Sequence, residues 1–404
     1  MISVQKKILH NGLTILHKQV PSETVTLIFS VHTGSIFEIH KEYGLSHFLE
    51  HLLFEGTKKR PTSRMIAAAI ENYGGEFNAA TSQERTFYYV KISKQYFSVA
   101  LDVLFDMFTE SLFSQKIIEK ERKVIFDEIN MINDNPRQYQ WILFYKTLFK
   151  HHPACRAVYG DVSVLKKMTR EGILAYFSKY YVPSNITVVA VGDVPSALSQ
   201  IEKKCSSWKK QLVSVPSIVP EIENTFSFQK EQKKLNQSYL VLGYKAVLRN
   251  HPDSYVLDVI SGILGRGQSG WLFDEIRAKR GLCYSVGIDY DANKTYSAVG
   301  ISCGTHKKHI PVVKKLILEQ LYKLQTVSFS EVADSKTFIQ GALAMRNENT
   351  ASIAEDIAHW HSIASVTAYE RYLDSVKRVG VSDVRCVAKK YFTDQYTMVV
   401  LEQK

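Results

Sequence analysis

No stretch of this chain approaches 18 consecutive uncharged apolar residues, so no helix able to cross a membrane is expected. The first residues, Met1-Ile2-Ser3-Val4-Gln5-Lys6-Lys7, lack the apolar run of a secretory signal. Cysteine is scarce: Cys155, Cys205, Cys283, Cys303 and Cys386 are widely spaced and form no C-x-x-C pair. An odd number at such spacing argues against a disulfide framework and for free thiols in a reducing compartment, so a cytoplasmic location is expected. No G-K-[ST] follows the glycines of Leu264-Gly265-Arg266-Gly267, which removes a phosphate-cradle reading of that loop. The formal net charge of +11 is not gathered into one patch. Lys58-Lys59-Arg60, Lys203-Lys204 and Lys307-Lys308 are short clusters with no nucleic-acid motif beside them. Neither a nucleic-acid nor a membrane partner is therefore expected.

What is present has the bulk character of a globular protein. With 45% hydrophobic and 23% charged residues over 404 positions, the chain is long enough for two domains with cores of ordinary size. The most informative stretch is His47-Phe48-Leu49-Glu50-His51. On an ideal helix these three polar side chains share a sector roughly 100° wide. Leu45, Phe48, Leu49, Leu52 and Leu53 fill the remainder, so the helix should be buried, and buried imidazoles and carboxylates need a partner. A divalent metal is such a partner. Histidines at i and i+4 can direct ring nitrogens at one ion, for which zinc is the usual occupant. Glu50 then stands beside the ion, placed to take a proton from water. The order H-x-x-E-H is the inverse of the commoner zinc-protease motif H-E-x-x-H.

Catalytic zinc takes three protein ligands. A second helical pattern runs from about Ser114 to Asn133, with Ile117, Ile118, Val124, Ile125, Ile129 and Ile132 as its apolar stripe. Glu121 and Glu128 are seven apart on one face of it, and on spacing alone either completes the set. The stretch from Gly44 to Asn133 resembles the pitrilysin/insulinase family of zinc peptidases (M16, the inverzincins), half-size members of which include the processing peptidases. In that family H-x-x-E-H is followed, about 76 residues on, by a glutamate ligand, and here that residue is Glu128. The resemblance implies that His47, His51 and Glu128 bind zinc, that Glu50 is the general base, and that Glu121 supports the ligands from behind. It also implies that Asn78, Ala79 and Thr81 lie on a sheet edge to which an extended peptide adds as a strand. Arg277 and Tyr284 match the family's Arg-x6-Tyr element, which holds the substrate carbonyl and the developing oxyanion. Gly34-Ser35 and Glu38 match the loop before the motif, whereas Ile36 stands where the family usually has a basic residue.

The remainder reads as α+β. Strands about the turn Asn11-Gly12, at Val25–Val31, at 77–82 and 86–90, and at Ile186–Val191 alternate with helices from Ser63, from Tyr96 to Phe113, from Arg137 to Phe149 and from Thr169 to Tyr180. His151-His152 beside Pro153, and His359 and His361 two apart, do not suit a second metal. The second half echoes the first. Lys179-Tyr180-Tyr181 precedes a strand at Thr187, and Lys390-Tyr391-Phe392 precedes one at Thr397. A strand at Ser238–Gly243 and a helix from His251 to Leu264 occupy the places of Val25–Val31 and the metal helix, without the motif. The expected fold is two homologous α/β-sandwich domains, each an antiparallel-rich sheet packed by helices. Residues 1–205 carry the zinc, 206–225 with Pro216 and Pro220 form a linker, and 226–404 form a metal-free duplicate whose helices run on to Lys377. By resemblance, the expected activity is zinc-dependent hydrolysis of peptides or unfolded segments in a closed chamber. The chamber would be made by a homodimer or a heterodimer with a metal-less paralogue. A non-catalytic partner subunit of a processing peptidase is the alternative.

Overall fold

The computed structural model describes residues 3–404. Met1 and Ile2, the start of the stretch read for a signal, lie outside them. Among the described residues eleven strands form two sheets. The first contains β1 (Gln5–Ile8), β2 (Thr14–Lys18), β3 (Thr24–Val31), β4 (Glu76–Thr81), β5 (Thr86–Ser93) and β6 (Ile186–Val191), in the order β1-β2-β6-β3-β5-β4. The second contains β7 (Ser227–Lys233), β8 (Ser238–Lys245), β9 (Cys283–Ala292), β10 (Ser297–Thr305) and β11 (Thr397–Gln403), in the order β7-β11-β8-β10-β9. Each sheet holds one parallel pair, β2 with β6 and β7 with β11, among antiparallel neighbours. Apart from β1, the two orders match strand for strand, so the duplication seen in the Lys-Tyr-aromatic echoes extends to the topology.

The central strands β3 and β6 are runs of β-branched and aromatic residues, buried almost throughout because both sheet faces are covered. One face carries the Leu45–Leu52, Ser63–Glu71, Phe97–Glu110 and Gln115–Asp134 helices around a core that includes Phe29, Phe48, Tyr88 and Phe108. The other face of this sheet is covered by the Thr350–Ile363 helix. Its Ile353, Ala354, Ile357 and Ala358 pack on Leu16, Ile28, Val189 and Val191, and the Thr26 and Thr350 hydroxyls are 2.9 Å apart. In the second sheet the Pro136–Leu148 helix plays the same part. It lies close because Gly243 and Gly300, paired across β8 and β10, present no side chain. A Cβ on Gly243 would come within 2.7 Å of the Phe144 ring, and one on Gly300 within 2.5 Å of the Trp141 ring.

The compact units therefore do not follow chain order. One takes the chain up to Ile129, Arg156–Ser217 and Arg346–Tyr369; the other takes Asn130–Cys155, Ile218–Met345 and Glu370–Lys404. Sequence order places the helix after Arg137 in 1–205 and all helices up to Lys377 in 226–404. Instead, each sheet takes the helix over its second face from the other half of the chain. Helical periodicity shows that these segments have an apolar stripe, but not which sheet receives it. The stretch 209–226 holds no helix or strand. Just before it stands a helix not anticipated from sequence, Ala197–Cys205, whose Ala197, Ile201 and Cys205 are buried. No helix among the described residues is long and apolar enough to cross a membrane, and the five cysteines are free thiols.

Candidate metal centre

The Leu45–Leu52 helix is anchored at its start. Gly44 precedes it at φ 98°, and a Cβ there would lie 2.7 Å from the Tyr159 carbonyl oxygen, so glycine is required. The first backbone N–H groups of a helix have no partner within it. Here the Glu38 carboxylate accepts from two of them, Gly44 N–H and Ser46 N–H, each at 2.8 Å. Burial pushes the Glu38 carboxyl up to about 7, against the pull of those two hydrogen bonds and the Arg156 charge. The Ser46 and Tyr176 hydroxyls meet at 2.8 Å. Leu45, Phe48, Leu49 and Leu52 are buried, which leaves the His47–His51 sector as the helix's polar outlet.

Glu128, on the Gln115–Asp134 helix, enters that sector. Its Oε2 is 3.5 Å from His47 Nε2 and 3.2 Å from His51 Nε2. One donor atom each from His47, His51 and Glu128 lie within 4.8 Å of one another. Ligands bonded at zinc distances around a tetrahedral ion stand roughly 3.3 Å apart, so this donor set fits such an ion. Glu121 approaches from the other side, with its Oε2 3.5 Å from His51 Nδ1. Of the two glutamates that spacing allowed, Glu128 shares the centre with both imidazoles, and Glu121 faces the outer nitrogen of one. Lys120 Nζ holds Glu121 at 3.1 Å and Glu55 at 2.9 Å. Sequence reasoning singled out neither Lys120 nor the partner role of Glu55. The turn of the helix differs from the expected stripe: Glu121 and Arg122 are buried with Ile118, Ile125 and Ile129, while Val124 is exposed. The carboxylates displace part of the apolar face because they are directed at the metal helix.

The electrostatics are those of a site built for a cation. Hydrogen bonds to His47 and His51 hold the Glu128 carboxyl well below its usual range, with burial opposing them. Burial alone would lower His51, but hydrogen bonds to Glu121 and Glu128 and the charges of Glu128 and Glu50 lift it to about 9. Glu121 is lowered by its hydrogen bond to His51, against burial and with help from Lys120. Three carboxylates thus draw positive charge into one pocket. His47 Nδ1 is buried without a hydrogen-bond partner.

Glu50 Oε2 accepts a 2.5 Å hydrogen bond from the Thr81 hydroxyl. Thr81 was expected among the substrate contacts with Asn78 and Ala79; its hydroxyl is directed at Glu50. The three residues lie on β4, which pairs with β5 alone and forms the edge of its sheet. Asn78 is exposed, and its side-chain oxygen accepts from Ala79 N–H at 2.9 Å. Arg277 and Tyr284 belong to the second unit. The Arg277 guanidinium lies 4.6 Å from the centre of the Tyr284 ring and 4.7 Å from that of Phe273, and Tyr284 is 70% exposed. The structure thus brings these two together in one unit, and His47, Glu50, His51, Thr81, Glu121 and Glu128 together in the other. Among the described residues the remaining histidine pairs are not part of a metal-capable cluster of three or more donor side chains. His152 Nδ1 accepts from Ala154 N–H at 3.0 Å, and burial lowers His361 to about 4.

Residues 13–162 match the family model described as insulinase (peptidase family M16), and residues 167–336 match the peptidase M16 inactive domain. The chain is 30% identical over 402 residues to an uncharacterised zinc protease of Rickettsia felis, covering 97% of this chain and 96% of that protein. It is 28% identical over 396 residues to one of Bacillus subtilis, with 97% and 96% covered. It is 27% identical over 420 residues to the mitochondrial-processing peptidase subunit beta of Dictyostelium discoideum, with 97% and 87% covered. The fold matches the crystal structure of a protease from Helicobacter pylori with a TM-score of 0.94 at 24% identity, over 100% of both chains. The model for the inactive domain falls mainly on the half that lacks the motif. Relatives named zinc proteases span nearly the whole length, and the His-His-Glu cluster closes in the half they would need it: this chain belongs to peptidase family M16.

Proposed function

We propose that the chain is a zinc-dependent metalloendopeptidase acting on peptides or unfolded segments. The reading rests on one observation: two helices bring His47 and His51 together with Glu128, 76 residues beyond His51 in sequence counted after it, at zinc-ligand spacing, with Glu50 beside them and an open strand edge at Thr81. When bound, zinc supplies Lewis acidity, which acidifies water toward neutral pH and polarises a carbonyl. His47, His51 and Glu128 would hold it, and Glu121 fixes the His51 ring. Glu50 takes a proton from the attacking water and delivers it to the amine nitrogen as the carbon–nitrogen bond breaks. The substrate adds to β4 through its backbone, where such pairing reads little side-chain sequence, and Asn78 and Ala79 line its path. Arg277 and Tyr284 supply hydrogen-bond donors to the oxygen on which charge develops. A homodimer enclosing the substrate belongs to the same proposal, since one chain carries both the zinc motif and the Arg–Tyr pair.

The test is cleavage of a quenched fluorescent peptide by purified chain of measured zinc content. Cleavage should require one zinc per chain, stop on chelation and return with added zinc. Failure of the zinc-loaded chain to cut any unfolded substrate would favour the non-catalytic subunit. Sedimentation should give twice the chain mass.

A further inference from the structure

The second sheet leaves open a face that the first sheet buries. Strand register aligns the two faces residue by residue. In the first sheet Ile15 pairs with Val188; in the second, Phe228 pairs with Met398. Two positions earlier, Leu13 corresponds to Phe226, and two positions later His17 corresponds to Lys230. Leu13 and Ile15 are 0% exposed and His17 is buried, whereas Phe226 and Phe228 are 54% and 53% exposed. The difference has a visible cause. In the first unit the Ala197–Cys205 helix lies against β2. The Asn11 side-chain amide ties its end down, donating to the Cys205 and Trp208 carbonyls at 2.9 Å each. Among the described residues no helix takes that place over β7. What remains is a groove of about 440 Å³ whose floor includes Phe226, Phe228, Met398 and Val400.

The lining charges select the occupant. Lys230, Lys307 and Lys314 face the groove against a single acid, Glu402. Lys230 is 3.2 Å from Glu402, and the Lys314 ammonium lies 5.3 Å from the centre of the Tyr396 ring. Two positive charges therefore remain at the rim of an apolar floor, the complement of an acidic amphipathic segment. In the first unit the covering helix is also flanked by ion pairs, Glu202 with Lys7 at 2.6 Å and Lys204 with Asp102 at 2.8 Å; over the second sheet the two remaining lysines call for carboxylates instead.

We infer that this face docks an amphipathic helix of a partner protein, with small apolar residues at i, i+4 and i+8 and carboxylates on its flank. The helix lies over β7 as Ala197–Cys205 lies over β2. Its apolar stripe covers Phe226 and Phe228, and its carboxylates meet Lys307 and Lys314.

The probe is a fluorescein-labelled peptide of residues 195–208 carrying Lys203→Glu, Lys204→Glu and Cys205→Ala. It is titrated with full-length chain carrying Glu50→Gln, so that it is not cut. A saturable anisotropy rise with Kd below about 100 µM is expected. Phe228→Asp and Lys314→Glu should each weaken it at least about tenfold. Phe226→Ser serves as a second apolar variant, and thermal melting verifies that each variant is folded. Absence of saturable binding, or binding indifferent to these substitutions, overturns the inference. A dimer mass that falls to monomer in Phe228→Asp would assign the face to a second copy of the chain and would overturn it as well.

Discussion

Glu50→Gln replaces one oxygen by an NH2 group and leaves all three metal donors in place. The Thr81 hydroxyl donates to Glu50 Oε2 at 2.5 Å. The amide oxygen of glutamine accepts the same bond, so β4 keeps its position against the metal helix. Zinc content should remain one per chain. What disappears is a base able to take a proton from water. A positioned general base contributes about 10²- to 10⁴-fold, which is roughly 2.7–5.4 kcal/mol of barrier at 1.36 kcal/mol per tenfold. Because the proton moves only as the transition state forms, the loss should appear in kcat, with KM for an unfolded peptide within about twofold. The assay is initial-rate hydrolysis of a quenched peptide by parent and variant at matched zinc content, measured by plasma mass spectrometry. A variant that keeps more than about a tenth of the parental kcat with full zinc would remove Glu50 from the role of base. Loss of zinc together with activity would make Glu50 a ligand and refute the division of labour in the centre.

Four further outcomes can be checked. Glu128→Gln should lower zinc affinity by more than about 100-fold, because Glu128 faces both imidazoles; Glu121→Gln, which among the three donor residues touches only the outer nitrogen of His51, should cost about 10- to 100-fold. Competition with a chromogenic chelator measures both, and equal effects would contradict the geometry. Glu38 gives a pH signature. Its folded value of about 7 lies above the ordinary 4.5, so its contribution to stability is full below pH 4.5 and is lost as pH rises through about 7, by on the order of 3 kcal/mol. Glu38→Gln, a mimic of the protonated acid, should flatten the fall in urea-unfolding stability between pH 5 and 8; an unchanged slope would place the titration elsewhere. Gly44→Ala meets a left-handed φ and a carbonyl at 2.7 Å. It should lower stability by at least about 1–2 kcal/mol and weaken zinc binding with it, and a neutral melting temperature would show that the helix start can shift freely.

Much of the site was legible along the chain because its determinants are local. Three polar residues in five, on an otherwise apolar helix, mark one polar sector suited to a metal, and a heptad separation puts Glu121 and Glu128 on one side of the next helix. The duplicated ending, helix, aromatic pair, turn and strand, was readable for the same reason. Other features depend on neighbours distant in sequence. Spacing left Glu121 and Glu128 equivalent for the metal; only the approach angle of two helices sets one at the centre and the other behind His51. Thr81 reads as part of a strand edge, and only its placement opposite the metal helix gives its hydroxyl to Glu50. The exchange of covering helices is equally invisible: an apolar stripe on Thr350–Ile363 says that a sheet will be covered, and shape complementarity over Leu16, Ile28, Val189 and Val191 decides which one. Periodicity and side-chain chemistry thus marked most of the apolar faces and the polar cluster on the first of them, while long-range packing chose their partners and, at Val124, Glu121 and Arg122, even which side of a helix is buried, since which surfaces meet depends on the whole folded shape and not on any one segment.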